Sequence, residues 1–128
     1  MMLGPSPAIS AKKEIIMHNT RIVQIENDES FIELLHAVDP AKQTIVKFGA
    51  IWCSPCTTMK RSFFQASESK LDIDFFETDI DECPASAAFW KIQSLPTTVL
   101  YVGSEEVSRK EGLLSSTQIL EWIDKSKK

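Results

Sequence analysis

Between the apolar run Thr44-Ile45-Val46-Lys47-Phe48 and a stretch of helical spacing from Ser54 to Ser67 lies the segment Trp52-Cys53-Ser54-Pro55-Cys56. The run reads as a buried strand and the stretch as the helix that follows it, so Cys53 falls at a helix N-terminus. There the partial positive charge and the unsatisfied N–H groups of the first turn favour a thiolate, the species that attacks disulfides. Cys53 is therefore the expected nucleophile. Cys56, one helical turn later, is close enough in sequence to bridge to it and is expected to lie deeper against the helix, as the resolving thiol. Pro55 sits in the first turn, where a proline removes only an N–H that the helix does not use and keeps φ near its helical value. Two cysteines placed in this way suit reversible dithiol chemistry better than structural stapling.

The rest of the chain sets the bounds. With 128 residues, 43% of them hydrophobic and seven of them Phe, it is long enough for a single domain with a sizeable core. A net charge of -4 without a basic cluster argues against nucleic acid, which needs concentrated Lys and Arg. The longest apolar run near the N-terminus, Ile15-Ile16-Met17, is too short for a signal-peptide core. No stretch approaches the roughly 20 apolar residues of a membrane span. Three cysteines fit a redox pair plus one free thiol, Cys83, better than a secreted disulfide framework. A soluble, cytoplasmic protein without membrane or nucleic-acid partners is expected.

Residues 1–20, with Gly4, Pro5 and Pro7, read as an N-terminal extension, disordered at its start, and residues 21–128 as the domain. Arg21 to Ile25 reads as a first strand. Asn27-Asp28 can cap a helix carrying Phe31, Leu34, Leu35 and Val38, and Pro40 stops it. Ile73 to Thr78 reads as a further strand, and Pro84 opens a helix. Val99–Val102 and Val107–Lys110 form a hairpin about the turn Gly103-Ser104-Glu105-Glu106. Ser115 and Gln118 have capping-box spacing ahead of a helix with Ile119, Leu120, Trp122 and Ile123 on its apolar face. The order β-α-β-α-β-α-β-β-α results, an α/β sheet covered on both sides. Zinc is not expected, because Cys53, Cys56, Cys83, His18 and His36 lack a second paired spacing; neither histidine is expected to be catalytic.

The segment Phe48 to Cys56 resembles the active-site strand and turn of thioredoxins, with Ser54 in place of the usual glycine. Leu95-Pro96-Thr97, ahead of Val99-Leu100-Tyr101-Val102, resembles the thioredoxin loop whose proline is cis and faces the dithiol. With Asp79-Ile80-Asp81 and Gly112 the likeness runs from about Arg21 to Ile123. It implies a thioredoxin fold, a three-layer α/β/α arrangement about a mixed five-stranded sheet. It also implies a monomeric thiol-disulfide oxidoreductase that reduces disulfide-containing proteins through Cys53 and Cys56. Trp52, Ser94, Leu95, cis-Pro96 and Gly112 would form the substrate contact, with Trp52 covering the dithiol. A thioredoxin reductase or similar donor would restore the dithiol, and no bound cofactor is implied.

Departures from that pattern are informative. Lys47 stands where the family places a buried aspartate that helps deprotonate the resolving cysteine, and Glu77 where it commonly has a lysine. An isolated buried charge costs several kcal/mol, so the double reversal is expected to restore a pair. Glu77 is then expected to take the Cys56 proton and Lys47 to favour thiolate; the alternative is a solvated pair without such a role. Thr57, Arg61 and Gly49 replace a lysine, a proline and a tryptophan that are frequent in the family. Cys83 resembles an extra cysteine of some animal thioredoxins, but its partner position holds Trp90, so a free, buried or half-buried thiol is expected. Two other readings use the same residues. A disulfide oxidase or isomerase would differ in potential, near about −180 mV for an isomerase against roughly −270 mV for thioredoxin. A non-catalytic binding module would not need both cysteines and Pro96.

Overall fold

The structure, a computed structural model, describes residues 21–126; the extension expected over residues 1–20, with His18, lies outside them. Its elements run β1 (Ile22–Ile25), α1 (Asp28–Ala37), β2 (Gln43–Gly49), α2 (Ser54–Ser69), β3 (Asp74–Asp79), α3 (Pro84–Phe89), β4 (Thr97–Val102), β5 (Glu105–Glu111) and α4 (Ser116–Lys125). The expected order is borne out. The strands form one sheet in the order β1-β3-β2-β4-β5, parallel among β1, β3 and β2 and antiparallel from β2 through β4 to β5.

The central strand β2 is buried along almost its whole length, and its side chains alternate between two cores. Ile45 packs with Met59, Phe63 and Ala66 of α2 and with Ile119, Trp122 and Ile123 of α4. Val46 and Phe48 pack on the other face, with Phe31 of α1, Cys83, Val99 and Tyr101. Lys47 and Gly49 fall in register with Ile45 and so face α2.

The helix starts follow the local chemistry. Asn27 Oδ1 accepts from the Ser30 amide at 2.8 Å, and Ser115 and Gln118 form the expected capping box. Helix α3 has no cap of its own; Asp28 of α1 supplies one, accepting from the Ala85 and Ser86 amides and the Ser86 hydroxyl.

The hairpin is tighter than its sequence suggested. Glu105 and Glu106 are ladder partners of Val102 and Tyr101, leaving only Gly103 and Ser104 as the connection. Two consecutive glutamates read as a turn, but β5 is an edge strand whose open side tolerates charge. Gly103, at φ 63°, is required there, because a Cβ would lie 2.8 Å from the Pro40 carbonyl oxygen. No helix among the described residues is long and apolar enough to cross a membrane, and no cluster of three or more potential metal ligands occurs among them.

Candidate active site

Cys53 ends the turn after β2 and is the N-cap of α2; its Sγ accepts from the Cys56 amide at 3.3 Å. Pro55 occupies the first turn, and Cys53 and Cys56 are joined as a disulfide, their Cα atoms 5.3 Å apart. Both cysteines are buried, Cys53 6% exposed and Cys56 5%, so exposure alone does not separate them. The turn and its neighbouring loops shield both sulfurs alike. What distinguishes the cysteines is the space that each one lines.

Cys53 lines an open groove of about 530 Å³ with Trp52, Pro55, Ile80, Ser94 and Leu95. The Leu95–Pro96 bond is cis, and the Pro96 carbonyl accepts from the Gly112 amide at 2.8 Å. Gly112, at φ 91°, thus braces the loop rather than lining the groove. Trp52, expected to cover the dithiol, stands at the groove wall, 66% exposed, its indole N–H donating to Asp81 Oδ2 at 2.8 Å.

Asp79 was not singled out as a site residue from the sequence. Its Oδ2 accepts from the Ile51 amide at 3.1 Å and its Oδ1 from the Asp81 amide at 2.7 Å. The Ile80 amide donates to the Gly49 carbonyl at 2.9 Å. Together these bonds stitch the end of β3 to the turn that carries Trp52 and Cys53. The signal was present in Asp79-Ile80-Asp81, but a carboxylate at a strand end reads equally as an ordinary turn residue.

Cys56 lines a different space, a cavity of about 590 Å³ shared with Lys47, Glu77, Lys60 and Asp79. Lys47 Nζ lies 3.3 Å from Glu77 Oε1, with side-chain exposures of 3% and 21%. The two residues face each other across the β2–β3 ladder, so the double charge reversal does form a pair, and its lysine is not solvated. Burial pulls the Lys47 ammonium below the ordinary lysine range; Glu77 opposes that pull and Lys60 adds to it. Phe63 lies beneath the ammonium, with 5.3 Å from Nζ to the ring centroid. Gly49 lets Cys56 approach β2, since a Cβ there would sit 3.1 Å from Cys56 Sγ.

Cys83 is the free, buried thiol expected. It accepts from Thr78 Oγ1 at 2.9 Å, and burial pushes its pKa up, which favours the thiol over the thiolate.

A cysteine pair that closes across the first turn of the helix after the central strand, opposite a cis-proline loop, defines a thiol-disulfide exchange protein of thioredoxin fold. The family model Thioredoxin matches residues 22–125. Among curated relatives, Thioredoxin H2-2 of Oryza sativa subsp. japonica is 33% identical over 96 residues, covering 73% of this chain and 72% of that protein. The thioredoxin of Ovis aries is 33% identical over 91 residues, covering 71% and 86%. The crystal structure of thioredoxin NaTrxh from Nicotiana alata superposes with a TM-score of 0.76 at 25% identity, over 84% of this chain and 94% of that one. The chain belongs to the thioredoxin family and is a thiol-disulfide oxidoreductase, a protein-disulfide reductase by kind.

Proposed function

We propose that this protein reduces disulfides of extended protein segments laid in the Cys53 groove, in the cytoplasm, as a monomer recharged by a thioredoxin reductase or similar donor. The domain would be residues 21–128, with residues 1–20 an extension to it. The observation that carries the reading is the Cys53 sulfur at the N-terminus of α2, on the wall of an open groove that runs to the cis-Pro96 loop. The first turn of the helix favours the Cys53 thiolate, which attacks one sulfur of the substrate disulfide. A mixed disulfide forms and the first substrate thiolate leaves. Cys56 then attacks Cys53 Sγ, the second substrate thiolate leaves, and the Cys53–Cys56 disulfide remains to be reduced by the donor. Ser94, Leu95 and Pro96 set substrate register, the Leu95 backbone pairing with the bound segment, while Trp52 flanks it and Gly112 braces the loop. Glu77 takes the Cys56 proton and Lys47 holds the resulting charge.

Insulin-disulfide reduction, driven by NADPH through a thioredoxin reductase, tests the reading. Turnover that is abolished by Cys53→Ser, together with a strongly reducing dithiol potential, is expected. A folded but inert wild-type protein would overturn it in favour of a binding module, and a potential near that of an isomerase in favour of an oxidase or isomerase.

A further inference from the structure

We propose that Arg109, on edge strand β5, is a positioning residue for the substrate groove: its guanidinium locks a left-handed turn at Lys91 and so sets the groove wall formed by residues 92–95. The inference rests on reading that groove as the substrate site.

The turn is the closing end of α3. The Lys91 amide donates to the Ala88 carbonyl at 3.1 Å and the Ile92 amide to the Ala87 carbonyl at 2.9 Å, the bond pair of a helix that ends through a left-handed residue. That residue is Lys91, at φ 56°. Glycine is the usual occupant, because a Cβ disfavours this conformation, so the turn needs support from outside the helix. The direction of the chain depends on it, since the next residues, Ile92, Gln93, Ser94 and Leu95, line the groove with Cys53 and Trp52.

Strand β5 supplies the support. Arg109 Nη2 donates to the Trp90 carbonyl at 2.6 Å and Nη1 to the Lys91 carbonyl at 3.3 Å, which holds the peptide planes on both sides of the Lys91 Cα. Nε and Nη2 also donate to the two Glu106 carboxylate oxygens, at 2.6 and 2.7 Å, and fix the planar fork in one orientation. A bulge makes this possible. Leu100 pairs with Ser108 but Tyr101 with Glu106, so Val107 is an extra residue, and Glu106 and Arg109 share the face of Tyr101 and Val99. Strict alternation would send them to opposite faces. On that face the Trp90 ring packs edge-on against Tyr101, with centroids 5.0 Å apart, so side chain and carbonyl of Trp90 both rest on the hairpin. The far end of the wall is tied just beyond β5, by the Gly112 amide on the Pro96 carbonyl. The wall is thus anchored at both ends from one edge of the sheet, and Arg109 holds the end that a strained residue would otherwise release.

The test is insulin reduction at saturating reductase by Arg109→Met, beside amide hydrogen exchange of the same protein. KM for insulin is expected to rise roughly tenfold with kcat within about twofold of wild type. Oxidation of the reduced protein by hydroxyethyl disulfide, too small to need the wall, is expected to keep its rate. Exchange at the Lys91 and Ile92 amides is expected to speed up about tenfold while the α1 amides stay unchanged. Arg109→Lys, which keeps the charge but not the fork, is expected to retain most of the KM defect. Should Arg109→Met not fold, Glu106→Gln is expected to show the same pattern at smaller amplitude. A folded variant with wild-type KM, full rescue by Arg109→Lys, or a parallel fall in kcat and in the small-disulfide rate would each overturn the proposal. Wild-type protein inert towards insulin would instead remove the groove reading, a result separate from the exchange measurement, which reads the lock without substrate.

Discussion

At Gly49 a missing methyl decides how closely the resolving thiol can approach the central strand. A Cβ would meet Cys56 Sγ at 3.1 Å and Cβ at 3.3 Å, with the cysteine held by its disulfide and by α2. Gly49→Ala is expected to destabilise the oxidised protein by about 1–3 kcal/mol, the usual range for overpacking, and to lower insulin turnover by displacing Cys56; unchanged urea unfolding and turnover would contradict this. Two steps back, Lys47 links stability to pH. Its folded pKa is lowered, so on the approach to the ordinary lysine range the unfolded chain binds more protons, and stability rises with pH there. The rise is expected in wild type and absent in Lys47→Met, followed by denaturant unfolding at a series of alkaline pH values. The Lys47–Glu77 pair was legible through the resemblance alone, which set these two residues against the family's aspartate and lysine. The equal burial of Cys53 and Cys56 was not, because shielding comes from loops distant in sequence.

Among the elements, helix ends capped from nearby were readable and those capped from afar were not. Asn27 and Ser115 carry their signal within three residues. Arg21 does not. Its guanidinium donates to the carbonyls of Ser67, Lys70 and Ile73, closing the C-terminal end of α2 from a position 46 residues before Ser67. Hydrogen bonds from a charged group contribute about 1.5–3 kcal/mol, so Arg21→Ala is expected to cost about 2 kcal/mol in urea unfolding while leaving the thiol chemistry of the folded protein intact. Asp28 caps α3 across a similar sequence distance. Burial raises its carboxyl pKa, but the Ser86 hydroxyl and the Ser86 and Ala85 amides outweigh that and hold it below the ordinary value. Its contribution is therefore full above the usual carboxylate range and is lost as pH falls through the lowered pKa. Asp28→Ala is expected to lose about 1 kcal/mol near neutrality, with the gap to wild type closing in acid; a gap independent of pH would refute the assignment. Glu105 and Glu106 were misread for a related reason, since edge-strand charge and turn charge look alike locally.

Over the whole molecule, the element order followed from hydrophobic periodicity, and the site's location followed from a cysteine pair at a strand end. Ligand sites in such sheets gather at the carboxyl ends of parallel strands, and here the ends of β2 and β3 meet through Asp79 and Ile51. What only the three-dimensional arrangement supplies is the division of labour around one disulfide, with Cys53 on the substrate groove and Cys56 on the charged cavity behind it. That division is the central claim, and trapping of the reaction intermediate tests it most directly. Reduced Cys56→Ser and Cys53→Ser proteins are each mixed with an oxidised protein substrate, and the covalent adducts are resolved by mass spectrometry without reductant. The account predicts a stable mixed disulfide at Cys53 in Cys56→Ser and none at Cys56 in Cys53→Ser; adducts at Cys56 in comparable yield would contradict it.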